Sequence, residues 1–88
     1  MKRPHDYESI TILDISFKNL EELPSWVSEC NKLENLNCSF NNITQLNNLP
    51  PTLKKLKCYN NPLKYEFEPT IENIRNYNNQ NNQNKLPK

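Results

Sequence analysis

The sequence predicts a small α/β solenoid: short parallel strands stacked in about three rungs, closed at the C-terminal end by one short helix. Three observations predict it. Residues 33–43 and 53–63 are two copies of one pattern, with apolar side chains at positions 1, 4, 6 and 11 and Asn at position 9. A looser copy spans residues 10–20, so the copies begin at 10, 33 and 53, at periods of 23 and then 20 residues. Self-similarity at such a period marks a stacked repeat architecture. The third observation is composition. With 34% hydrophobic residues and a mean hydropathy of −0.97, the 88-residue chain has too little apolar material for a large globular core. It has enough for the few inward residues that each repeat of a stack requires.

The elements follow in order. Residues 1–9 are polar and read as a loose arm or a partial cap. In residues 10–20, Ile10, Leu13 and Ile15 point inward while Ile12, Asp14 and Ser16 alternate outward, as a pleated strand requires. Lys18 stands where the pattern wants Asn, which makes this terminal repeat atypical or shifts its turn. Ser25 then caps a short helical turn through Trp26, Val27 and Cys30, whose apolar residues continue at a spacing of three to Leu33. After the second copy, Leu49-Pro50-Pro51-Thr52-Leu53 excludes a helix and favours an extended return. Tyr65 and Phe67 read as apolar cover. Residues 69–77 read as a short capping helix, in preference to a degenerate fourth repeat that would place Asn76 in the core. Residues 78–88 are rich in Asn and Gln and read as a disordered polar tail.

Stacking the copies builds inward columns: Ile10/Leu33/Leu53, Leu13/Leu36/Leu56, Ile15/Cys38/Cys58 and Leu20/Ile43/Leu63. Adjacent strands in such a stack lie about 4.8 Å apart. Asn41 and Asn61 are expected to bond backbone groups that the irregular turn leaves unpaired, in their own repeat and in the neighbouring one. With no glycine, positive-φ turn positions are expected to fall to some of the seventeen asparagines.

The unit Leu-x-x-Leu-x-Cys-x-x-Asn-x-Ile/Leu at 33–43 and 53–63 resembles the leucine-rich repeat, and the resemblance covers most of the chain. It implies a right-handed stack whose outward strand positions form a concave face that binds a protein or peptide. The Leu-Pro-Pro-x-Leu return looks like the short repeats of bacterial effectors, and the first repeat like the ordinary longer kind. The chain as a whole is similar to leucine-rich repeat proteins of large DNA viruses and amoebae. Bacterial effectors with such repeats carry a separate ubiquitin-ligase domain, for which 88 residues leave no room, so that activity is not expected to carry over.

Chemistry is scarce. The single histidine, His5, sits in the polar arm with no nucleophile at fixed spacing. A glycine-rich phosphate loop is impossible, and the carboxylates form no paired or calcium-loop pattern. Cys30, Cys38 and Cys58 follow neither a disulfide framework nor a zinc spacing. They read as buried free thiols, with a Cys38–Cys58 disulfide as the other possibility within that column. The expectation is a non-enzymatic chain without cofactor or metal. A formal charge of +1 argues against nucleic acid, for which Lys54, Lys55, Lys57, Lys64 and Arg75 beside Tyr59 would be the only basic set. No secretory signal pattern and no membrane-length apolar run are present, which points to an intracellular, cytoplasmic location.

A surface remains. The outward columns Ile12/Asn35/Lys55, Asp14/Asn37/Lys57 and Ser16/Ser39/Tyr59, with Phe17/Phe40/Asn60 at the strand ends, run from apolar and acidic to basic and aromatic. The residues expected to meet a partner are Asp14, Ser16, Phe17, Asn35, Asn37, Ser39, Phe40, Lys55, Lys57 and Tyr59. Phe17 and Phe40 are either an exposed apolar patch or buried edge packing. The alternative function is structural: an end-to-end self-associating chain or a fragment of a longer repeat protein. Sequence leaves open whether the chain is a monomer or an oligomer.

Overall fold

The computed structural model describes residues 1–85, with the side chains of residues 1–80. Three three-residue strands, β1 (Ile12–Asp14), β2 (Asn35–Asn37) and β3 (Lys55–Lys57), form one parallel sheet in the order β1-β2-β3. The register pairs Ile12, Asn35 and Lys55, then Leu13, Leu36 and Leu56, then Asp14, Asn37 and Lys57. Repeat period and strand alternation together dictate this alignment, because a one-residue slip would turn every leucine outward. The arrangement is compatible with a short stack of repeats.

The inward columns meet a single core. Ile15, Val27, Cys30, Leu33, Cys38, Ile43, Leu46 and Ile74 are fully buried. Ile10, Leu13 and Leu20 of the first repeat, and Leu56 and Leu63 of the third, pack against this core while remaining half-buried. The second repeat, flanked on both sides, is therefore the best covered. All three cysteines are free and buried.

The connection between β1 and β2 contains a 3₁₀ helix at Ser25–Glu29. Ser25 makes no side-chain cap bond, contrary to expectation. Pro24 occupies the cap position with φ −57° and ψ 142°, and the turn closes through the Val27 N–H donating to Pro24 O at 3.1 Å. The N-terminal arm docks on this turn. Arg3 lies 4.0 Å over the Tyr7 ring and pairs with Glu29 at 2.7 Å, and Trp26 Nε1 donates to Met1 O at 3.4 Å.

Three further expectations are corrected. The C-terminal helix α1 spans Ile71–Lys85, not 69–77. Thr70 is its N-cap, its hydroxyl accepting from the Asn73 N–H at 3.1 Å, so Pro69 precedes the helix. At the other end, no glycine or proline falls between Ile71 and Lys85 to stop propagation once the first turns are packed. Residues 78–85, read from composition as a disordered tail, continue the helix; residues 86–88 lie outside the described residues. The positive-φ positions are Phe17, Asn19, Phe40, Asn48 and Asn60, so phenylalanine shares with asparagine a role expected of asparagine alone.

Candidate interaction face on the strands

The pleat sends Ile12, Asp14, Asn35, Asn37, Lys55 and Lys57 to one side of the sheet, where they line a hollow of about 360 Å³. Ile12 is 67% exposed, the two asparagines are half-buried between their neighbours, and both lysines are exposed. Ile12 belongs to this hollow although it was not among the expected partner-contacting residues. Its outward place in the alternating strand was the available signal.

Several of the expected residues turn out to be engaged within the chain. Asp14 Oδ1 accepts from the Ser16 hydroxyl at 2.6 Å and from the Ser16 N–H at 3.0 Å. These bonds, the hydroxyl first, hold the Asp14 carboxyl below its ordinary range, with smaller contributions from Lys18 and Lys57. One repeat on, Asn37 Oδ1 accepts from the Ser39 N–H at 3.1 Å in the same local turn. Lys57 has no oxygen to repeat the pattern, and the Tyr59 N–H instead donates to Ser39 Oγ at 3.0 Å. That bond explains a correction: Ser39, expected outward, is only 3% exposed and serves the backbone of the next repeat.

Lys55 and Lys57 differ from Lys54 and Arg75. Lys54 pairs with Glu34 at 3.7 Å. Arg75 donates to Pro50 O at 2.9 Å and Leu53 O at 3.4 Å, which ties α1 to the turn before β3. Two members of the basic set considered for nucleic acid are thus committed inside the molecule. No carboxylate among the described residues pairs with Lys55 or Lys57.

At the C-terminal end of the strands the two phenylalanines stack face to face, ring centroids 4.4 Å apart and 8° from parallel. Phe17 is 72% and Phe40 45% exposed, which decides between the two readings in favour of an exposed patch. Their φ values of 57° and 59° match the 57° of Asn60 in the same column. The backbone turn is common to all three repeats and throws the side chain out beside the hollow. Tyr59, 64% exposed, adds a further aromatic surface at the third repeat.

Below the strands, Asn41 Nδ2 donates to Ile15 O, Cys38 O and Ser39 O, while its Oδ1 accepts from the Lys18 and Leu20 amides at 2.9 and 3.0 Å. Asn61 repeats this with Cys38 O, Cys58 O and Tyr59 O, and with the Asn41 and Ile43 amides. Each amide completes the backbone of the repeat before it. The first repeat has no predecessor, which explains why Lys18 is tolerated there. Among the described residues, no cluster of three His, Cys, Asp or Glu is placed to hold a metal ion. No described helix is long and apolar enough to cross a membrane. Comparison with known proteins returns no relative: no family model, no curated protein and no solved structure matches the chain.

Proposed function

We propose that this chain is a leucine-rich repeat module, a right-handed solenoid of about three repeats, that binds a protein or peptide through its strand face without catalysing a reaction. The observation that carries the reading is the pair of uncompensated lysines, Lys55 and Lys57, side by side with the Asn35 and Asn37 amides in one hollow. Two ammonium groups beside two amides suit an acidic extended segment: the lysines steer it, and the amides hydrogen-bond its backbone. Ile12 at the far end, with the Phe17–Phe40 stack and Tyr59 beside it, supplies apolar area. Because the side chains are held by a hydrogen-bonded sheet, little ordering cost opposes binding.

The test is partner capture from the native cell type, comparing the natural chain with a Lys55→Ala/Lys57→Ala/Tyr59→Ala variant shown by circular dichroism to remain folded. Partner recovery should fall at least about tenfold, the loss expected when even one charge-assisted contact disappears. Equal recovery by the variant would remove the strand face from the mechanism.

A further inference from the structure

Hydrogen bonds cross between repeats both ways, as Lys55 N–H to Glu34 O shows, but the donors at the end of each strand and in the turn after it find their acceptors on the following repeat. The Cys38 N–H donates to Lys57 O and the Phe40 N–H to Tyr59 O, both at 2.8 Å. The Asn41 and Ile43 N–H groups donate to Asn61 Oδ1. The third repeat has the same donors and no successor. Cys58, Asn60 and Asn61 carry N–H groups equivalent to those of Cys38, Phe40 and Asn41, and none has an acceptor among the described residues. The Leu63 N–H turns back onto Asn61 O at 2.8 Å. Lys55, Lys57 and Tyr59 spend their bonds on the second repeat, so the alternate residues of this parallel edge face outward.

A groove of about 770 Å³ runs beside that edge, between the third repeat and the chain returning to α1. Leu56, Cys58, Leu63, Phe67 and Ile71 give it an apolar lining. An open parallel edge above an apolar groove is a template for an added strand.

We infer that this groove receives one extended segment of a partner polypeptide, laid parallel to β3 as a fourth strand and carrying the spacing apolar-x-apolar-x-x-Asn. Each part of that specification answers a feature of the edge. The free amides require an extended backbone. The floor at Leu56 and Cys58 requires apolar side chains two residues apart, as in the second and third repeats. The Asn61 N–H requires a side-chain oxygen three residues later, as Asn61 Oδ1 supplies to the Asn41 N–H. A second copy of this chain does not meet the specification. Its free outer strand belongs to the first repeat, where Lys18 offers only donors. Its second-repeat strand is already paired on both sides. The occupant is therefore a different polypeptide, and end-to-end growth of the chain is disfavoured. This surface is the sheet edge and not the strand face, so either proposal can fail alone.

The experiment titrates the ¹⁵N-labelled full chain, under reducing conditions, with a synthetic peptide of the sequence of residues 33–43. A second peptide carries Asn41→Ala. Saturable shifts and slowed hydrogen exchange at the Cys58, Asn60 and Asn61 amides are expected, with the Asn41→Ala peptide binding about tenfold more weakly. A Lys55→Ala/Lys57→Ala chain should bind the peptide as the natural chain does. No response at those three amides, equal binding by both peptides, or shifts centred on Asn35 and Asn37 would overturn the inference. So would concentration-dependent chain growth by the unliganded protein in sedimentation.

Discussion

Asn41 carries as much of this fold as a buried leucine, because its amide meets five backbone groups from two repeats. Removing it strands donors and acceptors in a region from which water is excluded, and each such group costs about 1–3 kcal/mol. Asn41→Ala should therefore lower stability by about 4 kcal/mol, read from urea unfolding midpoints. Lys18→Asn, which places an amide where no preceding repeat needs one, should change stability by less than about 0.5 kcal/mol. A large gain from Lys18→Asn would contradict the reading that this turn amide serves mainly the repeat before it. The phenylalanines pose the opposite question, since nothing in their burial rewards them. A left-handed backbone at a bulky residue costs roughly 1–2 kcal/mol, and one aromatic stack returns about 1 kcal/mol. Asn60 holds the same turn with a residue that tolerates it better. Counted over both residues, the Phe17–Phe40 pair is thus unfavourable for folding by about 1–3 kcal/mol, and it adds an exposed apolar surface.

Among the elements, α1 is the one whose docking joins distant parts of the chain. Thr70 caps it, Ile74 is fully buried in the core, and Ile71 packs half-buried beside it. Arg75 reaches the carbonyls of Pro50 and Leu53, and Asn78 Nδ2 donates to Leu46 O at 3.2 Å. Those carbonyls lie along the return from Leu46 to Leu53, where a turn closed by the Leu53 N–H donating to Pro50 O at 3.2 Å stands in place of a helix and of the extended path expected from the two prolines. Tyr65 contributes in the same way from outside the helix: its hydroxyl accepts from the Leu46 N–H at 2.8 Å while its ring packs against Phe67 and Tyr77. Ile74→Ala should cost about 3 kcal/mol, the usual loss for truncating a fully buried isoleucine, again by urea unfolding. Asn79→Ala, on the exposed side of the same helix, should lie within about 0.5 kcal/mol of the natural chain. Equal effects at the two positions would mean that the helix is not docked by its Ile74 face.

For the whole molecule, titration of the core offers a test. Burial pushes the Cys38 thiol up from its ordinary 9.0 to about 12, and the neighbouring Cys58 adds to the shift. Burial likewise raises Cys30, Cys58 and the Tyr65 hydroxyl. In each case the unfolded chain loses its proton first. The neutral groups therefore contribute their stability in full below the unfolded thiol value, and it is lost as pH climbs from about 9 toward 12. Urea midpoints should be flat between about pH 7 and 8 and fall steadily above about pH 9. Cys38→Ala, although less stable throughout, should show a shallower decline. A natural chain whose midpoint held constant to pH 11 would show that these thiols are not sealed in the core.

Period and alternation were sufficient for the three strands, their register and the inward columns. Every copy of the pattern must place its apolar positions on the same side, and strand side chains alternate with a period of two. The irregular turn after each strand likewise marks Asn41 and Asn61 as partners for its unpaired backbone groups. Composition misled at the C-terminus, where an Asn- and Gln-rich stretch reads as a tail. The packed turn of Ile71 and Ile74 provides a nucleus from which the helix extends, which composition alone does not register. Which outward residues remain free was decided only in three dimensions. Ser39 is drawn inward by the Tyr59 amide, Asp14 is held by Ser16, Lys54 by Glu34 and Arg75 by two carbonyls, leaving Lys55 and Lys57 uncompensated. The unfilled edge of β3 is likewise invisible in the sequence. Apart from the local Asp14–Ser16 turn, these outcomes depend on residues about twenty positions apart. Local pattern dictates which way a side chain starts, and the neighbouring repeat dictates whether it arrives at solvent or at a hydrogen bond.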